Sequence, residues 1–248
     1  MKLYPHAARR WQGPPSFRRL FVLVAVVLAT NSFTVPLPGQ APSRSVVAID
    51  IKGAIGVATS EYIAQAIAKA ESEGAQLLVI KLDTPGGLVS STREIIKAIL
   101  ASRVPVAVYV SPSGAHAASA GTYIAYSAHI AAMAPGTNIG AATPVQISIP
   151  GLPTSPDPKR QPTDKPGTDQ PSGTAMDRKA LNDAIAFLRS LAQMRARNAD
   201  WAEKSVRDAA TLTASDALAE KVIDVVARDI ADLLVQIDGR TVSTTLGS

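Results

Sequence analysis

The sequence predicts an α/β fold in which the strands of a parallel sheet alternate with single helices. Three observations predict it. Short apolar, β-branched runs are typical of strands buried on both faces. Each run is followed by a segment with helical periodicity, and glycine, proline or a helix-capping residue marks the boundaries between them. A chain of 248 residues is long enough for one sizeable core or two small ones, and we expect one domain with attachments.

The strand and helix bounds follow from these runs. The first helix is predicted to start at Thr59 or Ser60 and to end at Gly74, and the second carries a capping box from Ser91 to Glu94. Parallel strands present their carboxyl ends on one side of the sheet, so functional groups are expected in the loops there. Strands are predicted at 46–51, 77–82, 104–110, 130–134 and 222–226, and later helices at 177–198, 201–209, 215–221 and 230–235.

The excess of positive charge lies in the first 41 residues. The chain carries a formal net charge of +5 from 25 basic and 20 acidic residues. Five of the basic residues lie in that first segment, which has no acid, so the remaining 20 basic residues balance the 20 acidic ones. A neutral domain gives no electrostatic case for binding nucleic acid. The absence of cysteine excludes disulfides and a thiolate nucleophile, and it fits an extracytoplasmic compartment.

Residues 1–41 have the layout of a secretory signal. Basic residues precede the apolar run Leu20 to Thr30, and polar, proline-bearing sequence follows up to Ala41. The run is about half of the roughly 20 residues that a spanning helix needs, so we expect a cleaved signal with a cleavage site near Ala41. The pair Arg18-Arg19 leaves the twin-arginine export route open.

A change of composition separates two parts of the domain. Residues 144–173 are dense in proline, threonine, serine and aspartate, and cannot bury enough apolar surface to order themselves independently. We interpret this segment as a mobile loop beside the site, with a plain linker as the alternative. The domain is expected to span 45–240, with 241–248 as a tail.

Ser119 is the candidate nucleophile. It stands in the segment His116 to Ile124, where small residues surround one serine at a predicted strand-to-helix junction and a substrate backbone could approach closely. The alternative is that alanine and glycine only allow a helix to pack tightly. The adjacent Gly86 and Gly87, at the end of another strand, can turn backbone N–H groups toward a ligand.

The base that would activate Ser119 is less evident. A Ser-His-Asp triad needs an imidazole from a separate segment. His6 lies in the leader, His116 lies only three residues before the serine and His129 follows the helix. No histidine spacing typical of zinc sites is present either. A histidine base is therefore disfavoured.

A lysine is the remaining candidate, provided that its amine is uncharged at the working pH. Lys179 lies in the first turn of the helix after residue 173, where the helix dipole and burial by a bound peptide would favour the neutral amine. Periodicity alone, however, places it opposite the apolar stripe of that helix, on a solvated face. The rival lysines are Lys81, Lys97, Lys159 and Lys165.

Taken together, several motifs resemble the protease domain of NfeD-type membrane-associated serine proteases, over roughly residues 45 to 240. This family has the Clp-protease and crotonase-like fold, and signal peptide peptidase A is a relative. The motifs, in order, are Thr84-Pro85-Gly86-Gly87, Ala118 to Ile124, Ala134-Pro135-Gly136-Thr137 with Ile139-Gly140-Ala141, and Arg189-Ser190-Leu191-Ala192 leading to Arg197-Asn198-Ala199.

The resemblance implies a Ser-Lys dyad without a metal or other cofactor. Ser119 would be the nucleophile and Lys179 the general base. The N–H groups of Gly87 and Ala120 would form the oxyanion hole, and the Gly86-Gly87 loop would bind the peptide. The family further implies an exported, possibly membrane-associated endopeptidase. Its expected substrate is a hydrophobic segment of a stomatin-like membrane protein, and it is expected to form a homodimer.

Two other functional classes stay open at this point. One is an acyl-CoA enzyme of the same fold, although no glutamate stands beside the Gly-Gly loop. The other is a non-enzymatic scaffold that grips the tail of a membrane protein. Many family members continue into transmembrane helices and a small β-barrel, whereas this sequence ends at Ser248, so we interpret it as a short form or a fragment.

Overall fold

A five-stranded parallel sheet carries the functional loops. The computed structural model describes residues 45–144, 175–245 and 247, so the predicted leader and nearly all of the predicted loop 144–173 lie outside the described residues. In chain order the elements are β1 (Val46–Lys52), α1 (Val57–Ser72), β2 (Leu77–Asp83), α2 (Val89–Ala101), β3 (Val106–Val110), β4 (His116–Ala118), α3 (Ala120–Ser127), β5 (Ile130–Met133), β6 (Asn138–Gly140), α4 (Ala175–Met194), α5 (Ala199–Arg207), β7 (Thr211–Thr213), α6 (Ala214–Ala219), β8 (Val225–Val226) and α7 (Ile230–Ile237).

The sheet has the order β1-β2-β3-β5-β8, and every neighbouring pair is parallel. Alternate side chains of β2 point to opposite faces. Leu78 and Ile80 pack in the larger core beneath α1 to α5. Leu77 and Val79 pack in a smaller core that α7 closes with Leu233. The prediction of a parallel sheet covered on both faces is confirmed, and the described residues form one compact unit.

A second, three-stranded sheet stands at the carboxyl ends of the main strands. It has the order β4-β6-β7, with β4 parallel to β6 and β6 antiparallel to β7. An isolated bridge from Thr84 to Ala117 connects it to the end of β2. Each strand has only three residues, too few for a periodic pattern, and the sequence analysis did not predict this sheet. It holds the junction that bears Ser119.

The predicted capping box of the second helix is wrong. Helix α2 starts at Val89, with Leu88 in the N-cap position and no side-chain cap. The N–H of Leu88 instead donates to the carbonyl oxygen of Ile55 at 2.9 Å, and Ser91 is buried within the helix. A tertiary backbone contact, which has no local sequence signature, therefore determines where this helix begins.

Other bounds differ by a few residues. Helix α1 starts at Val57 after Gly56 rather than at Thr59 or Ser60. Helix α4 spans 175–194 rather than 177–198, and β8 is shorter than the predicted strand 222–226. Among the described helices, none combines the length and apolarity that crossing a membrane requires.

Candidate active site

Ser119 occupies a strained backbone conformation between β4 and α3. Its φ of 50° and ψ of −113° lie outside the regions that residues with a β-carbon normally adopt. Such a conformation costs on the order of 1–3 kcal/mol and persists only where its surroundings hold it in place. Strained backbone conformations of this kind are common at functional sites. Here the strained residue is the candidate nucleophile.

A set of hydrogen bonds holds the junction. The Ser119 N–H donates to the Gly140 carbonyl at 3.1 Å, and the Ser119 carbonyl accepts from the Thr122 N–H at 2.9 Å. The Thr122 hydroxyl bonds to the carbonyls of Ala117, at 2.9 Å, and Gly140, at 3.0 Å. Because β4 and β6 of the second sheet both take part, the strained serine has little freedom to relax.

The Gly86-Gly87 loop lies directly against this serine. Gly86 has a φ of +119°, which favours glycine, and a β-carbon there would lie 2.8 Å from the Ser119 Cβ. The Thr84 hydroxyl accepts the Gly86 N–H at 3.1 Å and so fixes the turn. A β-carbon on Gly87 would overlap the Ile55 backbone. The sequence therefore needs both glycines for close approach of backbone segments.

Two backbone donors are oriented by these elements. Ala120 is the first residue of α3, so its N–H has no partner within the helix and lies at the positive end of the helix dipole. In the described part of the chain, the Gly87 N–H donates no hydrogen bond. Both residues line the same cavity as Ser119.

That cavity is apolar and small. Its volume is about 170 Å³, which suits a few side-chain atoms of a ligand. The rings of Tyr123 and Phe187 stack across it with centroids 6.0 Å apart. Burial raises the pKa of the Tyr123 phenol to about 12, so this group is neutral at physiological pH. The lining residues are Gly87, Val89, Thr92, Arg93, Ser119, Ala120, Tyr123, Ala142, Pro144, Ala180, Asp183, Ala184 and Phe187.

Helix α4 supplies one wall of the cavity through a face that sequence periodicity did not single out. Ala180, Asp183, Ala184 and Phe187, at helical spacing, line the cavity, while the apolar stripe that includes Ile185 packs in the core. Periodicity places this side of the helix, with Lys179, in solvent, because the pattern reveals only the stripe that packs in the core.

Lys179 lies in the first turn of α4 and is exposed. Its side chain is not among the described lining of the cavity, although Ala180 and Asp183 are. At 100° per residue, Lys179 stands about 40° around the helix from Asp183. The residue is therefore at the edge of the cavity-lining face, rather than on the opposite side of the helix.

The two histidines of the domain are bound up in structural contacts. The His116 Nδ1 lies 3.2 Å from the Asp83 carboxylate, outside the described cavity lining. The His129 Nδ1 accepts the Val106 N–H at 3.1 Å, and burial lowers the pKa of His129 to about 4. His129 is therefore a neutral acceptor at the end of a strand.

Arg93 is a cavity residue that sequence reasoning missed. Its Nη2 donates to the Asp183 Oδ2 at 2.6 Å, and its guanidinium lies 4.3 Å from the centroid of the Phe187 ring. These contacts join α2 to α4 across 90 residues of sequence. Nothing in the local sequence marks the pair, since arginine on an exposed helix is common.

The fold and the site together define a class of protein. A parallel α/β domain with a strained serine at a helix start and a glycine loop against it has the arrangement that serine hydrolases use. The comparisons with known proteins identify the family more narrowly.

The chain belongs to the NfeD family. Residues 45–149 match the model of the N-terminal domain of NfeD1b. The solved structure of a serine-to-alanine variant of the 1510-N membrane-bound stomatin-specific protease is 38% identical, with a TM-score of 0.67, and the match covers 81% of this chain and 88% of that one. A lysine-to-alanine variant of 1510-N, in complex with a substrate peptide, is 37% identical with a TM-score of 0.69, covering 83% and 85%.

The curated relatives are longer proteins. The membrane-bound protease PH1510 of Pyrococcus horikoshii is 40% identical over 191 residues, which are 76% of this chain and 38% of that protein. The membrane protein NfeD1b of Bacillus subtilis is 32% identical over 108 residues, 44% of this chain and 24% of that protein. The chain thus spans well under half the length of the curated relatives that it matches.

Proposed function

We propose that this chain is a serine endopeptidase that cleaves peptides with apolar side chains by means of a Ser-Lys dyad. The observation that carries the proposal is the strained Ser119 at the start of α3, lining an apolar cavity together with Gly87 and Ala120. The 1510-N structures support it, because they include serine-to-alanine and lysine-to-alanine variants of a named protease.

In the first step, the Ser119 hydroxyl passes its proton to the neutral amine of Lys179 and its Oγ attacks the scissile carbonyl carbon. The oxyanion that forms accepts hydrogen bonds from the N–H groups of Gly87 and Ala120. A donor of this kind contributes about 3 kcal/mol to transition-state stabilisation in comparable sites.

The tetrahedral intermediate then collapses. The peptide C–N bond breaks, and the Lys179 ammonium returns the proton to the leaving amine. Water attacks the resulting acyl-enzyme, again with Lys179 as base, and the carboxylic acid leaves Ser119 free. Lys179 relays each proton, first from Ser119 to the leaving amine and then from water back to Ser119, so these steps need no further proton carrier.

Lys179 must approach the serine for this mechanism, and it is exposed at the edge of the cavity wall. Its four-carbon stem is flexible, and a substrate lying in the cavity would desolvate its amine. Desolvation favours the uncharged form that the mechanism requires. We expect the two groups to come within hydrogen-bond distance in the substrate complex.

The lining of the cavity supports an apolar substrate side chain. Tyr123, Phe187, Val89 and Ala184 offer carbon surface, and the cavity is small, which favours an aliphatic side chain over a large aromatic one. The 1510-N protein is named as stomatin-specific, so we propose that the substrate here is an apolar segment of a stomatin-like membrane protein.

The setting of the enzyme is also proposed. The leader at 1–41 would export the domain to the extracytoplasmic side of the membrane, where it would act near a membrane-embedded substrate. The family resemblance suggests a homodimer. Sequencing the mature N-terminus and measuring sedimentation of the purified chain would test these two points.

The test of the mechanism compares the parent with Ser119→Ala and Lys179→Ala on a quenched apolar decapeptide and on a charged control peptide. We expect hydrolysis of the apolar peptide only, and a loss of at least about 10³-fold in kcat for each variant. Lys97→Ala, which removes an exposed lysine from α2, is the matched control and should keep full activity.

Two outcomes would contradict the proposal. Equal hydrolysis by the parent and the Ser119→Ala protein would show that Ser119 is not the nucleophile. Full activity of Lys179→Ala would show that Lys179 is not the base. Peptide binding by the parent without turnover would instead indicate the scaffold function.

A further inference from the structure

The ion pair between Arg93 and Asp183 crosses the mouth of the candidate active site. Both residues line the cavity, and the pair joins α2, which follows the glycine loop, to α4, which carries Lys179. The Arg93 side chain is 38% exposed and that of Asp183 68% exposed. Exposed pairs of this kind contribute little to folding stability, so a role in stability does not explain the contact.

The amino-terminal part of α4 is less buried than the rest of the helix. The fully buried positions of this helix begin at Ile185, and the residues from 175 to 184 are exposed or half-buried. Arg93 holds this part in two ways, because it binds Asp183 and also stacks over Phe187. This contact therefore contributes to the placement of the first turns of α4, which carry Lys179.

Asp183 is also an electrostatic problem for a lysine base. It lies four residues after Lys179, so the two side chains are neighbours on the helix surface. A carboxylate at that distance favours the ammonium form, and an ammonium cannot accept the serine proton. In the structure, the guanidinium of Arg93 forms an ion pair with the Asp183 carboxylate instead.

We propose that Arg93 is a positioning residue of the protease, which engages the Asp183 carboxylate so that this carboxylate does not pair with the amine of Lys179. The inference rests on the proposed roles of Ser119 and Lys179. It assigns to one arginine both the placement of α4 and the removal of a competing partner for the base.

The other charged groups near this part of α4 do not replace Arg93. Asp177 and Arg178, which directly precede Lys179, carry opposite charges. Tyr123, on the neighbouring α3, is a neutral phenol. The carboxylates of α5 that face α4, Asp200 and Glu203, are bound by Arg189 at 3.0 Å, more than two turns farther along the helix.

The test is the pH profile of kcat/KM for the apolar peptide between pH 5 and 10, with the full chain. For Arg93→Gln, we expect the rising limb of the profile to move to higher pH by about half a unit or more. This is the Coulomb effect that the freed Asp183 carboxylate would have on the Lys179 amine at a distance of about 6 Å in water. At pH 7 this corresponds to a loss of roughly threefold in kcat/KM. For Asp183→Asn, the rising limb should stay where it is in the parent. This substitution removes the group through which the loss of Arg93 would act on Lys179, the Asp183 carboxylate.

The double variant is decisive. Arg93→Gln with Asp183→Asn should return the limb to the parent position, since no carboxylate is left to pair with the lysine. A role limited to anchoring α4 would instead make both single variants and the double variant equally impaired. Arg103→Gln, which breaks another exposed long-range pair with Glu71, is the matched control and should change nothing.

A second readout does not depend on turnover. The rate at which the Lys179 amine is acylated by a small anhydride, followed by mass spectrometry across pH, reports its neutral fraction directly. A shift of the labelling curve in Arg93→Gln that Asp183→Asn reverses supports the inference, and coincident curves overturn it. Activity retained in Lys179→Ala would overturn the proposed dyad itself, which separates the two failures.

Discussion

The backbone of Gly86 packs against the side chain of Ser119. A β-carbon on Gly86 would lie 2.8 Å from the Ser119 Cβ and 3.2 Å from its Oγ. The hydroxyl of the candidate nucleophile is therefore placed by the absence of a side chain on the loop that faces it, as well as by its own strained conformation.

Replacing Gly86 with alanine should separate activity from stability. The new methyl group would push the serine hydroxyl from its place, and a displacement of about 1 Å can cost 10²-fold in rate. The positive φ would also destabilise the fold by about 1–2 kcal/mol. Peptide hydrolysis and urea unfolding would measure the two effects.

Gly53→Ala is the matched control for that substitution. Gly53 also has a positive φ, of +93°, but a β-carbon there would meet nothing within 4 Å. We expect a similar loss of stability and unchanged kcat/KM. Equal activities of the two variants would contradict the packing argument.

Relieving the strain at Ser119 should stabilise the protein. Glycine adopts a positive φ readily, while alanine does not. Ser119→Gly should therefore unfold with a free energy about 1 kcal/mol larger than that of Ser119→Ala, after allowance for the greater freedom of glycine in the unfolded chain. Denaturant titration of the two inactive proteins provides the measurement. A less stable glycine variant would show that the strain is not stored at this residue.

Arg197 should be the most costly arginine to remove among the described ones. Its side chain is 2% exposed and its Nη2 lies 2.6 Å from the Asp224 carboxylate. Its Nη1 also donates to the carbonyls at the end of α3, those of Ala125, Tyr126 and Ala128. Breaking a buried pair leaves an uncompensated charge, so Arg197→Ala should lose about 3–5 kcal/mol of stability.

The comparison for Arg197 is Arg207→Ala. Arg207 pairs with Glu203 at 2.7 Å on the surface, where its side chain is half exposed, and its loss should cost less than about 1 kcal/mol. Thermal unfolding of both variants would decide the matter. Similar melting temperatures would contradict the role assigned to the buried arginine.

His129 should make the fold sensitive to acid. Its pKa, normally 6.5, is lowered to about 4, first by burial and then by Arg195 and Arg197. The unfolded chain therefore takes up a proton that the folded protein resists, and stability falls as pH drops from 6.5 to 4. The loss has an upper limit of about 3 kcal/mol.

Urea unfolding at pH 7.5, 5.5 and 4.5 would test this expectation. His129→Asn removes the titrating group, and it should flatten the decline over that interval even if the variant is less stable at pH 7.5. Parallel declines in the parent and the variant would assign the acid sensitivity to other groups.

The strands and the serine were accessible from sequence for a physical reason. Strands β2 and β3 are buried on both faces, so their apolar runs are continuous, and the small residues around Ser119 reflect the close packing at the junction. These features depend on local composition, which a single sequence displays.

The remaining parts depend on contacts between distant segments. The start of α2 is determined by Ile55, and the second sheet arises from three strands too short to show periodicity. The cavity face of α4 is defined by its contacts with other segments. One of these contacts, the pairing of Arg93 with Asp183, joins residues 90 positions apart. No pattern within α4 distinguishes a face toward a cavity from a face toward water.

The wall that α4 contributes comes late in the chain. A polypeptide folded only as far as β6 has Ser119 and the glycine loop, but it lacks Phe187 and the helix that carries the proposed base. The proposed cleavage would therefore become possible only once synthesis of the chain has passed that helix.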